Sequence, residues 1–103
     1  MTSTRKKQSL SDMRKSRPIV EDRSGGWCEV HIPGVCEKRA TNMHHRWAEG
    51  QGGPSTPENL IHLCGSGTTG CHGHIEHNRA QGYAKGWLVH TGVDPSTIPW
   101  EPA

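Results

Sequence analysis

A chain of 103 residues with 30% hydrophobic residues, no phenylalanine and a mean hydropathy of −0.80 holds one domain with tails at most, and its supply of core is poor. No run of about 18 apolar residues occurs, which excludes a membrane-spanning helix, and the charged N-terminus lacks the apolar segment of a signal peptide. The net charge of +2 decides nothing by itself, so partners must be read from where the charges sit.

Residues 1–20 gather Arg5, Lys6, Lys7, Arg14, Lys15 and Arg17 against Asp12 alone, a local charge of +5. A basic arm of this kind suits phosphate binding, and equally a solvated tail. Residues 1–9 read as disordered, and Ser11 to Arg23 as a short helix limited by Pro18. Ser24-Gly25-Gly26 is a break. Beyond it the pattern favours a hairpin: a strand over Cys28–Ile32, a turn at Pro33-Gly34 and a strand over Ala40–Trp47. Residues 48–57 form a polar loop, and PENLIHLC reads as a turn or two of helix with Pro57 at its start. HGHIEHNRAQGYAKG is compatible with a helix broken at Gly82 and ended at Gly86. Trp87–His90 reads as a last short strand. The organisation expected is a partly disordered basic arm over 1–20, a folded domain over 21–90 and an extended tail over 91–103.

A domain this poor in core needs a staple, and four cysteines and eight histidines are available to make one. In an intracellular protein, the location these features predict, four cysteines are more often metal ligands than disulfides. Cys28 and Cys36 are separated by seven residues, Cys64 and Cys71 by six, and turn formers lie between the members of each pair. Two such loops can close a tetrahedral site of four thiolates, in which metal binding becomes folding energy. A disulfide, or buried thiols without a ligand, are the alternatives.

The densest chemistry is NMHHRW, followed by Asn59 fifteen residues after His44 and by His72 thirteen residues after Asn59. On a strand, neighbouring side chains point to opposite faces, so His44 and His45 suit two jobs, one ligand and one base, better than one shared ion. His72 directly follows Cys71. Glu76 lies one helical turn on from His72, which makes these two the better ligand pair by geometry, with Arg79 near that face and able to reach a phosphate. His74 and His77 point to the other side and read as exposed, and His31, His62 and His90 have no evident partner. Asn59 is either a cap or a brace whose amide offers donor and acceptor together.

Taken together, RSGGWCEV, ATNMHHRW, GGPSTPENLIHLC and GCHGHIEHN resemble the HNH endonucleases, in particular the small phage-encoded kind, from about Arg23 to Leu88. The order HH, GG, NL, LC and CH carries the resemblance; no single piece does. It implies an α+β, loop-rich ββα-metal (His-Me finger) domain stapled by a structural zinc on Cys28, Cys36, Cys64 and Cys71. It implies His44 as the first ligand of one catalytic divalent metal (Mg, Mn, Ni or Zn), where many members have Asp. His45 would then be the general base, Asn59 the middle residue of the motif, and His72 the final ligand. Glu76, where relatives sometimes carry His, is the candidate third ligand. Both cysteine pairs are more widely spaced than the family's usual two-residue separation. The implied activity is hydrolysis of DNA phosphodiester bonds, leaving 5′-phosphate and 3′-hydroxyl ends. Arg46, Arg79, Arg5, Lys6 and Lys7 are the cations assigned to nucleic acid. Relatives of this kind often work beside the terminase subunits that package phage DNA, which implies the host cytoplasm as location. The rival expectations are a zinc-stapled nucleic-acid-binding module without catalysis, and a small adaptor whose histidines bind metal only for stability.

Overall fold

The computed structural model describes residues 4–103, with side chains from residue 10 onward. Its described part is a small α+β fold of three helices and one two-stranded sheet: α1 (Thr4–Ser24), β1 (Asn42–His45), β2 (Leu60–Leu63), α2 (Gly70–His77) and α3 (Arg79–Lys85), with short 3-10 turns between them. No helix in it is long and apolar enough to cross a membrane.

The first helix is longer than the sequence suggested. It includes backbone from Thr4, although residues 1–9 read as disordered, and it runs through Pro18. A proline inside a helix removes one hydrogen bond and crowds the preceding turn, at a cost of about 3 kcal/mol. Tertiary anchoring offsets that cost here. Ser16 and Val20, one turn apart, are both buried. Ser16 Oγ donates to the Ser55 carbonyl at 2.7 Å, and Arg23 at the far end donates to the carbonyls of Pro57 and Leu60. Pro18 itself faces outward. The helix ends at the expected break, where Gly25 (φ 65°) and Gly26 (φ 86°) take a conformation closed to most side chains. The side chains of Arg5, Lys6 and Lys7 lie outside the described residues.

The hairpin is paired differently from expectation. β1 falls within the expected second strand, but its partner is β2, antiparallel, with His44 opposite Ile61 and His45 opposite Leu60. Residues 28–32 form no strand, and only an isolated bridge between Trp27 and Arg39 remains of the expected pairing. The alternation that suggested a strand is nevertheless a burial pattern: Cys28, Val30 and Ile32 point into the core while Glu29 and His31 do not. Their backbone groups are satisfied individually, Cys28 N–H by the Lys38 carbonyl, Glu29 N–H by the His62 carbonyl and Ile32 N–H by Cys71 Sγ.

LIHL is a strand and not a helical turn. Pro57–Asn59 makes one 3-10 turn, after which all four residues of β2 are buried. A short apolar run has no periodicity to separate the two cases. α2 and α3 are interrupted at Asn78 and not at Gly82. Gly82 is required for packing, since a Cβ there would stand 2.7 Å from Leu88 Cδ1 and 3.2 Å from Ile75 Cγ2. α3 does end at Gly86 in the left-handed conformation.

Trp87, Leu88 and Val89 are buried without forming a strand. The tail is docked against the domain: Trp87 Nε1 donates to the Glu101 carbonyl at 2.9 Å, and the Ala103 amide to the Val30 carbonyl at 2.7 Å. The core joins Val30, Ile32, Ile61, Leu63, Ile75, Trp87 and Leu88 to three of the cysteines. Sulfur thus supplies part of the interior of a chain that has no phenylalanine.

Candidate metal centres and the His45 pocket

Two clusters of metal-ligating side chains occur among the described residues: Cys28, Cys36, Cys64 and Cys71, and His44, His72 and Glu76. In each, one donor atom per residue lies within 4.8 Å of every other. Donors around a four-coordinate ion stand roughly 3.3–3.8 Å apart, so an ion has only to draw either set in by about an ångström.

The cysteine cluster is built from three pieces of chain. Cys28 and Cys36 sit on the folded loop after α1, Cys64 follows β2, and Cys71 lies in the first turn of α2. Three are fully buried and Cys36 is half-buried; all four are free thiols. Backbone amides converge on the sulfurs: Glu37 and Cys71 donate to Cys64 Sγ (both 3.2 Å), Lys38 to Cys36 Sγ (3.3 Å) and Ile32 to Cys71 Sγ (3.4 Å). Such donors stabilise thiolates. At Cys64 burial opposes ionisation, but the amides of Cys71 and Glu37 outweigh it and hold the thiol below its ordinary value. Burial and the neighbouring sulfurs push Cys71 up. One thiolate is favoured and the next is opposed, which is the balance a bound cation would resolve. The four cysteines are therefore placed to hold a structural metal ion such as zinc, as the two-loop reading required.

The second cluster joins the sheet to the helix that follows it. His44, on β1, is 3% exposed and its ring centroid lies 5.4 Å from that of His72 on α2. His44 Nε2 is 2.8 Å from the Trp87 carbonyl. A carbonyl accepts only, so Nε2 carries the proton and Nδ1 keeps the lone pair. His72 Nε2 stands 3.9 Å from Glu76 Oε1, while His72 Nδ1 is buried with no hydrogen-bond partner. An imidazole with one orphaned nitrogen, whose ring lies next to a second imidazole and whose other nitrogen faces a carboxylate, fits a cation site. Burial lowers both histidines. His44 falls to about 4 despite its carbonyl partner, with His72, His45 and Arg46 adding to the effect. His72 falls less, because Glu76 offsets part of the burial. Both rings are neutral at pH 7, the form that binds metal.

His45, the last residue of β1, points elsewhere, as strand alternation requires. Its Nε2 is 3.0 Å from Ser55 Oγ and 3.3 Å from Glu49 Oε2. Burial lowers its pKa and Glu49 raises it in part. Asn59 is fully buried and is a brace: its Oδ1 accepts from Trp47 N–H at 2.8 Å, and its Nδ2 donates to the carbonyls of Trp47 (3.0 Å) and Pro54 (2.8 Å). It therefore ties down both ends of the loop that carries Glu49 and leads to Ser55.

Arg46 requires a correction. Expected on a nucleic-acid surface, it is 2% exposed and gives its donors to the carbonyls of Gly86, Glu58, Pro95 and Ile98. Burial, and secondarily Arg23, lowers its pKa to about 10, which leaves it charged. Its role is to clamp the C-terminal tail onto the domain. Arg79 is 48% exposed and sits between Glu76 and Tyr83. His77 is exposed, as anticipated, whereas His74 is half-buried and contacts Gln81. Of the histidines left without partners, His62 meets Ser24 Oγ at 2.7 Å, His90 stacks on Tyr83, and His31 stands 3.9 Å from Cys36 Sγ. Ser55 was missed entirely. Glu49, four residues after His45, was legible as a spacing, but reading residues 48–57 as a featureless loop concealed it. No family model, curated protein or solved structure matches this chain.

Proposed function

We propose that the protein is a metal-dependent endonuclease of the HNH type that hydrolyses DNA phosphodiester bonds. The observation that carries the reading is the convergence of His44, His72 and Glu76 within 4.8 Å, with the very next strand residue, His45, held separately by Ser55 and Glu49. β1 supplies His44 and His45, α2 supplies His72 and Glu76, and β2, between them in the chain, pairs antiparallel with β1. That agrees with the ββα-metal arrangement which the resemblance implies.

His44, His72 and Glu76 would hold one divalent cation; three protein donors leave positions open, unlike the four-sulfur set. When bound, the cation supplies Lewis-acid stabilisation to the charge that builds on a phosphodiester as it is attacked. The remaining work belongs to the chain. His45 is neutral at pH 7, and its Nε2 faces a Glu49 carboxylate oxygen, which accepts only, so Nε2 carries the proton and Nδ1 is the atom that takes one from the attacking water. Asn59 fixes the loop behind it, which limits how far the ring can turn.

Nicking of supercoiled plasmid tests the reading. Conversion to open circles with Mn²⁺ or Mg²⁺, abolished by EDTA and by His45→Ala, is the expected result. Binding of DNA with no nicking under any divalent ion would overturn it and leave a zinc-stapled binding module.

A further inference from the structure

His72, Glu76, Arg79 and Tyr83 succeed one another across the break between α2 and α3. Arg79 is the first residue of α3. A cation there faces the positive end of the helix dipole, a place where stability favours an acid. Its Nη1 donates to Glu76 Oε2 at 3.1 Å, its Nη2 to Tyr83 Oη at 3.3 Å, and its Cζ lies 5.7 Å from the Tyr83 ring centroid. Tyr83 is held in turn by face-to-face stacking on His90, at 3.9 Å between centroids and 5° between planes. Glu76 thus offers one oxygen to a guanidinium and directs the other towards His72.

We propose that Arg79 and the divalent cation compete for Glu76, and that filling the cation site frees Arg79 to bind a phosphate of the substrate. The inference rests on the reading of His44, His72 and Glu76 as a cation site. A carboxylate that neutralises a guanidinium is a poorer ligand, so Arg79 holds the cation affinity down. Once a cation takes Glu76 Oε1, the carboxylate becomes a weaker partner for Arg79 at Oε2, while Tyr83 Oη stays in place. Tyr83 Oη therefore retains the guanidinium beside the site, where a phosphate oxygen can replace the carboxylate. Linkage makes the effect reciprocal: a phosphate on Arg79 releases Glu76 and tightens the cation.

The test is calorimetric titration of Mn²⁺ into the full, zinc-loaded chain, for wild type, Arg79→Ala, Glu76→Gln and the double variant. Arg79→Ala is expected to bind Mn²⁺ about two- to fivefold more tightly, the fold-change of a half-exposed ion pair. Glu76→Gln should bind it more weakly, and Arg79→Ala should add nothing to Glu76→Gln. Anisotropy of a labelled DNA duplex, in a His45→Ala background so that it is not cut, supplies the second readout. There Arg79→Ala should lose about tenfold in affinity when Mn²⁺ is present, and much less when it is absent. Weaker or unchanged Mn²⁺ binding by Arg79→Ala would overturn the competition, since Arg79 would then be a prop for Glu76 or a bystander. An equal loss of DNA affinity with and without Mn²⁺ would overturn the release. Failure of the wild type to bind Mn²⁺ at all would instead remove the cation site itself, a result visible before any variant is compared.

Discussion

The two donor clusters, four residues and three, are alike in span and opposite in design. The four cysteines come from three separate stretches of chain, lie in the core, and are surrounded by backbone amides that point at sulfur. The second cluster has a buried anchor, His44, but its other two members are only half-buried, and its carboxylate is shared with an arginine. A closed set of soft, buried donors serves folding. An open set of harder donors at a surface serves a ligand that comes and goes. Their proximity is no accident of packing, because Cys71 and His72 are consecutive: the cluster that stabilises α2 also sets the position of the one that would bind substrate.

Breaking the first cluster gives the largest effect. Cys71→Ser removes a sulfur that touches the core and the start of α2, and structural zinc contributes on the order of 10 kcal/mol to small domains of this kind. The variant should show no cooperative thermal transition by circular dichroism and should not retain zinc by mass spectrometry. A cooperative melt close to that of the wild type would mean that the cysteines are simply core. Removing the histidine next to the second cluster should leave the fold standing. His45→Ala should lower the nicking rate by roughly two to four orders of magnitude, while Mn²⁺ affinity by calorimetry stays within about twofold. Loss of both together would show that His45 is a ligand and not a base.

The same contrast explains what was legible in the sequence. The ligand sets could be named because the chemistry of histidine and cysteine is narrow. Helical spacing separated His72 and Glu76 from His74 and His77, the family resemblance added His44, and the structure brings these three together. Gly25-Gly26 and Gly86 were readable as punctuation because their backbone conformations admit little else. Partners across the chain were not readable. Whether Met43 pairs with a residue near 30 or with His62 depends on which segment covers the core, and local pattern carries no such information. Arg46 shows the limit most clearly. A lone arginine after two histidines reads as a surface cation, and the carbonyls that bury it come from distant Glu58, Gly86 and the tail at Pro95 and Ile98.

Asn59 sharpens the comparison further, because it supports the open cluster without belonging to it. Asn59→Ala would leave the Trp47 amide and two carbonyls without their partners inside the protein. Unpaired buried groups cost about 1–3 kcal/mol each, partly relieved by water, so a loss of about 3 kcal/mol in urea unfolding is expected. Zinc content should be unchanged, and nicking should fall because the loop behind His45 loosens. Equal stability of Asn59→Ala and wild type would mean that the 47–54 loop is held by something else.

The smallest effect concerns how acid acts on the two clusters. With no divalent cation added, His44 is neutral in the fold down to about pH 4, whereas in the unfolded chain it titrates near its ordinary value of 6.5. The unfolded state therefore binds the extra proton first. The stability that this difference carries is complete above pH 6.5, and it is lost progressively as the pH falls from 6.5 towards 4. By pH 5.5 the loss amounts to about 1 kcal/mol. Proton resonances of the His44 ring should accordingly stay unshifted from pH 8 to 5 in the zinc-loaded chain. A midpoint for His44 near 6.5 would mean that the ring reaches solvent, and β1 could not then hold it against Trp87 as the open cluster requires.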